Sequence, residues 1–151
     1  QNYEKSRQLQ PENPGLERDL GRLYGEIGDF SASRNAFDRA LALEPNESLT
    51  YLYLGDMLEK SGDLRGAAGA FLNAQNLAPF WDRPPNRLGM VYGKLDRPGD
   101  GYYYIGRAFM LQDEDEKAIS SLDRAVKIIG ANTPRGKIIQ DELNTLKTRK
   151  R

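Results

Sequence analysis

The sequence predicts an all-α fold, an α-solenoid of antiparallel helix pairs, and three observations carry that expectation. Pro11, Pro45 and Pro79 lie 34 residues apart. The same step relates Tyr3, Phe37 and Phe71, then Leu20, Leu54 and Leu88, then Gly21, Gly55 and Gly89, with a small residue kept at Ser6, Ala40 and Ala74. Apolar residues recur at helical spacing between these marks, and Gly28-Asp29 and Gly62-Asp63 punctuate each unit with a shared turn. Self-similarity at this period is the pattern of supersecondary units that bury their apolar faces against their neighbours.

The array is expected over residues 1–132. Residues 1–12 place Tyr3, Ser6 and Pro11 where Phe37, Ala40 and Pro45 stand, so they read as the remnant second helix of a preceding repeat. Gln1, with neither methionine nor a signal-peptide pattern, reads as the start of a segment excised from something longer. Residues 14–47 form a full repeat, with Leu16, Leu20, Leu23, Tyr24 and Ile27 on the first helix. Its second helix, 31–43, is expected to bury Ala36, Phe37, Ala40 and Leu43. Pro45 then stops it, because proline lacks an amide hydrogen and biases Glu44 away from helical backbone. Residues 48–81 repeat the plan with Tyr51, Leu54, Leu58, Ala67, Phe71, Ala74 and Pro79.

Regularity slips after Pro79. Asp82 to Pro85 suits a helix start and Leu88-Gly89-x-x-Tyr92 arrives on schedule, but Asp96 to Gly101 is so rich in breakers that it reads as a loop. Residues 82–98 are therefore expected to be an irregular half-repeat, and 99–132 a last repeat. The helix over 102–111 fits two registers 17 residues apart. In one, Gly101, Ile105 and Ala108 occupy second-helix positions; in the other, Tyr102, Ile105-Gly106 and Phe109 open a first helix answered by Ala118, Leu122 and Ala125. Thr133-Pro134 then caps a helix whose stripe of Ile138, Ile139, Leu143 and Leu146 opposes Gln140, Asp141, Glu142 and Lys147, so 133–151 reads as a capping helix with a basic tail.

Leu20-Gly21-x-x-Tyr24 with Phe37, Ala40 and Pro45, and Leu54-Gly55 with Ala67, Phe71, Ala74 and Pro79, resemble the tetratricopeptide repeat over about residues 1–130. Glu17 and Tyr51 stand where that family often has tryptophan, Ser33 where it has alanine, and Leu58 where it has tyrosine. The resemblance implies a right-handed solenoid and a non-catalytic scaffold that binds a protein or peptide, extended or helical, in a concave groove. The groove positions fall on Arg18, Arg22 and Glu26, on Leu52, Asp56, Glu59 and Lys60, and on Asn86, Arg87, Met90 and Lys94. Each is equally an ordinary solvated helix residue by sequence alone. Arg22 and Asp56 replace the asparagines of the family's clamp for chaperone C-terminal carboxylates, so that ligand is not expected.

Leu88 to Gly93 and Gly101 to Gly106 also resemble the C-terminal repeat region of exported bacterial zinc peptidases of the His-Glu-x-x-His class. That resemblance implies an alternative role, substrate recognition or docking within a larger metallopeptidase whose catalytic domain is absent from this chain. The compartment would then be the bacterial periplasm, and otherwise the cytoplasm.

Composition narrows the chemistry. The chain has no histidine and no cysteine, which excludes Ser-His and Cys-His nucleophile pairs, histidine-ligated zinc and disulfides within it. No metal or cofactor is implied. Lys+Arg and Asp+Glu both total 22, so overall charge gives no motive for nucleic acid or an anionic membrane. The longest uncharged run, Gly66 to Trp81, is too short and too polar for membrane insertion. Asp113, Glu114, Asp115 and Glu116 lack the spacing of a calcium loop and fit an acidic helix start. Phe80, Trp81, Tyr102, Tyr103 and Tyr104 form a candidate aromatic contact. Three consecutive tyrosines on a helix spread over about 200°, so at least one is expected to face outward, while Trp81 fits equally as a packing staple.

Overall fold

The computed structural model describes residues 2–149. Among them are nine α-helices and no strand, divided between two compact units at Pro79 and Phe80. The first unit holds α1 (Asn2–Leu9), α2 (Pro14–Glu26), α3 (Phe30–Leu43), α4 (Ser48–Lys60) and α5 (Leu64–Leu77). The second holds α6 (Arg83–Lys94), α7 (Pro98–Leu111), α8 (Asp115–Ile129) and α9 (Pro134–Arg149).

In the first unit each helix packs on its predecessor, and α4 also rests on α2. Side-chain caps fix the starts. The Asn13 carbonyl oxygen accepts from Leu16 N at 3.0 Å ahead of Pro14, and the Asp29 and Asp63 carboxylates accept from Ala32 N and Gly66 N one repeat apart. Gly28 and Gly62 turn the chain at φ 85° and 92°, a region that a side chain disfavours. Phe37 and Phe71 are fully buried, each ring lying over a glycine of the preceding helix, Gly21 and Gly55, where a Cβ would collide with it. Leu20, Leu54, Leu58, Ala36, Ala40, Ala67 and Ala74 complete this core. Leu43 departs from expectation: at the last residue of α3 it remains 43% exposed.

The second unit corrects the loop reading of 96–101. Asp96, one period after Gly62, takes φ 57° and makes the turn, and α7 begins at Pro98, tolerated at a helix start. Its glycines serve packing: a Cβ on Gly99 would strike Ile129 at 2.6 Å, and one on Gly101 would press on the Gly89 carbonyl. Both sequence registers of α7 are realised together. Ile105 of α7 covers Gly89 of α6, as Phe37 covers Gly21, while Gly106 of α7 is covered in turn by Leu122 of α8. One helix is thus the second member of one pair and the first member of the next.

Helix α9 packs on α8. Ala118, Leu122, Ala125 and Val126 form a core with Ile139, Leu143 and Leu146, and Gly136 N donates to the Thr133 hydroxyl at 3.0 Å at the helix start. Ile138, expected in the same stripe, points away and is 57% exposed.

Candidate functional site

In the first unit, Arg22, Gly25 and Glu26 of α2 and Tyr53, Asp56, Met57 and Lys60 of α4 line one surface depression of about 170 Å³. Residues at equal positions in successive repeats converge there because α4 lies directly on α2. Gly25 keeps the wall low; a Cβ there would press on Met57 and Ser33. Lys60 Nζ donates to the Glu26 carbonyl at 2.9 Å and to the Gly25 carbonyl at 3.3 Å, so its charge stands at the C-terminal end of α2, where unpaired carbonyls attract a cation. The Arg22 guanidinium lies over the Tyr53 ring at 5.5 Å and approaches Glu26 at 3.4 Å. Its hydrogen bond with Tyr53, and then the charge of Glu26, hold it further into the charged form.

Of the expected groove residues, Arg22, Glu26, Asp56 and Lys60 therefore share one wall. Glu59 is half-buried on the same helix. Arg18 is partly buried one turn away, 3.1 Å from Asp19 and 3.8 Å from Glu47, the residue whose carboxylate caps α4. Leu52 requires correction: at 1% exposure it is a core side chain and offers nothing to a ligand. Repeat position alone does not distinguish a groove residue from one covered by a neighbouring helix. Tyr53 and Met57, outside the expected groove residues, also line the depression, Met57 with only 5% of its surface exposed. They lie beside the expected stripe on α4, and the only signal for Tyr53 was an aromatic one period beyond an arginine-bearing helix.

In the second unit, α6 carries Asn86 and Arg87, both half-buried, with Met90 and Lys94 exposed. Trp81 is half-buried just ahead of that helix.

The three consecutive tyrosines are each half-buried and engaged within their own unit, with the Tyr102 hydroxyl at the exposed side. Tyr104 stacks on Tyr92 at 5.4 Å, and Tyr103 meets Tyr104 edge-on at 5.1 Å. Arg97 lies over Tyr92, and Arg135 of α9 over Tyr103 at 4.6 Å and Tyr104 at 5.8 Å, while both arginines share the Asp100 carboxylate. Burial pushes the Tyr103 phenol up from its ordinary range, with the Glu142 charge adding to it. Tyr102 receives a hydrogen bond from Arg124 at 3.2 Å. This ladder of arginines and tyrosines ties α9 to α7. Cations desolvated over aromatic faces are attracted by the ring quadrupole.

No group of three or more Asp, Glu, His or Cys is placed to hold a metal ion among the described residues, and no helix there is long and apolar enough to cross a membrane. Paired helices repeating at 34 residues, with polar side chains gathered on first-helix surfaces, define a helical-repeat scaffold for protein–protein interaction. Tetratricopeptide-repeat family models match residues 18–80 and 100–128, together more than half of the sequence. The chain belongs to the tetratricopeptide repeat family, whose fold is typically non-catalytic and whose members bind protein partners. Its fold is similar to two crystal structures of MamA. One aligns with a TM-score of 0.70 at 18% identity over 98% of this chain and 86% of that one. The other gives 0.68 at 19% identity over 97% and 75%.

Proposed function

We propose that this scaffold binds a peptide, extended or helical, along first-helix surfaces, and that the depression between α2 and α4 is its principal contact in the first unit. The observation that supports this reading is the convergence of Arg22 and Glu26 with Asp56 and Lys60 around the Tyr53 ring and Met57. Opposed charges beside an aromatic wall suit a polar peptide backbone with one apolar side chain, and tyrosine and arginine are frequent hot-spot residues. Asn86, Arg87, Met90 and Lys94 offer a second such surface on α6.

The test uses peptides selected from a random displayed library on the whole chain. Arg22→Glu is expected to weaken the selected peptides about tenfold, roughly 1.4 kcal/mol. Its side chain is 55% exposed, so the melting temperature should hardly move. Arg18 is less suitable, because reversing its charge would set a carboxylate beside the Glu47 cap. Unchanged affinity in the Arg22 variant would remove the depression from the binding surface.

A further inference from the structure

The depression between α2 and α4 has a size and a lining that together select its occupant. At about 170 Å³ it is smaller than the roughly 300–1,000 Å³ of small-molecule and cofactor sites, and close to the roughly 150 Å³ that holds one benzene ring. It has room for a single side chain from a peptide passing over it.

The lining is neither purely apolar nor of one charge. Tyr53 supplies an aromatic wall, and Met57, 5% exposed, sets a thioether beside it. Around them stand two cations, Arg22 and Lys60, and two carboxylates, Glu26 and Asp56. Both cations are held in place. The Arg22 guanidinium lies 5.5 Å from the centre of the Tyr53 ring and 3.4 Å from the Glu26 carboxylate, while Lys60 Nζ donates to the Glu26 carbonyl at 2.9 Å. An aliphatic side chain entering this space would draw water away from charged groups and return no interaction to them. An aromatic ring answers each kind of neighbour. Its negative face attracts the cations, its positive edge attracts the carboxylates, and it packs favourably on tyrosine and on the methionine sulfur. Because Arg22 and Lys60 are already tethered, little side-chain freedom is lost when the ring arrives.

We propose that the residue seated between α2 and α4 is aromatic, a phenylalanine-sized ring carried by the partner peptide, and that Tyr53, Arg22 and Lys60 select it over an aliphatic residue. The proposal rests on the reading that a peptide occupies this depression and goes beyond it by naming the side chain that enters.

The probes are short synthetic glycine-serine peptides with phenylalanine, leucine or alanine at the centre, added at millimolar concentration to the whole chain. NMR of methyl-labelled methionine follows the Met57 methyl, with Met110 of α7 as internal standard. A ring in the depression shifts the Met57 signal through its ring current, which leucine lacks. The phenylalanine peptide is expected to bind about tenfold more tightly than the leucine peptide, the worth of a good aromatic contact, and to move Met57 while Met110 stays. Tyr53→Leu, which keeps an apolar wall without a ring, is expected to abolish that preference. Lys60→Gln, which keeps a donor for the α2 carbonyls but removes the charge, should reduce it about threefold. Phenylalanine and leucine peptides that bind equally, and are both weakened by Arg22→Glu, overturn the aromatic assignment and leave the peptide reading intact. Peptides that Arg22→Glu does not weaken overturn both, and a phenylalanine peptide that binds without moving Met57 seats its ring elsewhere and overturns the assignment. Should Tyr53→Leu fail to fold, the exposed Lys60→Gln site and the peptide comparison still decide it.

Discussion

At the residue scale, glycine sets how closely the paired helices approach, and two glycines in similar helical settings should respond oppositely to the same substitution. A Cβ on Gly21 would sit 2.7 Å from the Phe37 ring, whereas one on Gly69 would meet nothing within 4 Å. Gly21→Ala must displace a fully buried aromatic and is expected to cost about 1–3 kcal/mol. Gly69→Ala lies in the exposed interior of α5, where the added methyl restricts the unfolded chain without strain, and is expected to add about 0.5–1 kcal/mol. Denaturant midpoints of the two variants check both signs, and similar shifts in one direction would contradict the packing account. Leu52 and Ile138 are the counterpart at this scale. Sequence placed one on a binding surface and the other in a core, and the neighbouring helices reversed both.

At the element scale, the docking of α1 carries a pH signature. The hydrogen bond from Tyr24, and after it the charge of Arg7, hold the Glu4 carboxyl below its ordinary value of 4.5. A depressed folded value means a contribution present above the unfolded pKa and lost as pH falls through the folded one, hence below 4.5. The same bond raises the Tyr24 phenol above 10.0, so that its contribution is complete below that value and disappears as pH climbs through the folded pKa. Amide protection in α1 is therefore expected to have a plateau across neutral pH and to fail at both extremes before α2 to α5 unfold. NMR exchange measurements at several pH values test this, and a loss shared by all five helices would contradict it. Helix α7 shows what an element can do that a period cannot express. Ile105 and Gly106, adjacent in sequence, serve opposite neighbours, so two registers that look like rivals on paper are both occupied.

At the scale of the whole molecule, neutrality conceals a division. The first unit carries twelve acidic and eight basic side chains, the second ten and fourteen, so net charges of −4 and +4 cancel. Copies of such a chain attract one another when screening is weak, since zero net charge supplies no overall repulsion. The second virial coefficient from static light scattering is expected to rise between about 10 mM and about 150 mM NaCl, as the Debye length shrinks from roughly 30 Å to roughly 8 Å. A coefficient insensitive to salt would mean that the opposed charges are not presented to neighbouring molecules.

The sequence by itself determined the family, the helical class and the period, because proline, glycine and the apolar stripe act through local backbone sterics and helical spacing that need no knowledge of neighbours. It also determined where α2, α3 and α5 begin, since Asn13, Asp29 and Asp63 cap within three residues of themselves. Tertiary structure alone decided the rest. The breaker-rich segment 98–101 became helix because its glycines admit Ile129 and the Gly89 carbonyl, contacts made across the unit rather than along the chain. Glu17, which sequence marked only as a departure from tryptophan, became the anchor of α1 because Arg7 and Arg39, ten and 22 residues away, converge on it. The wall shared by Arg22 and Tyr53 is of the same kind: whether a polar side chain lines a site, fills a core or fastens a helix depends on what another segment places against it.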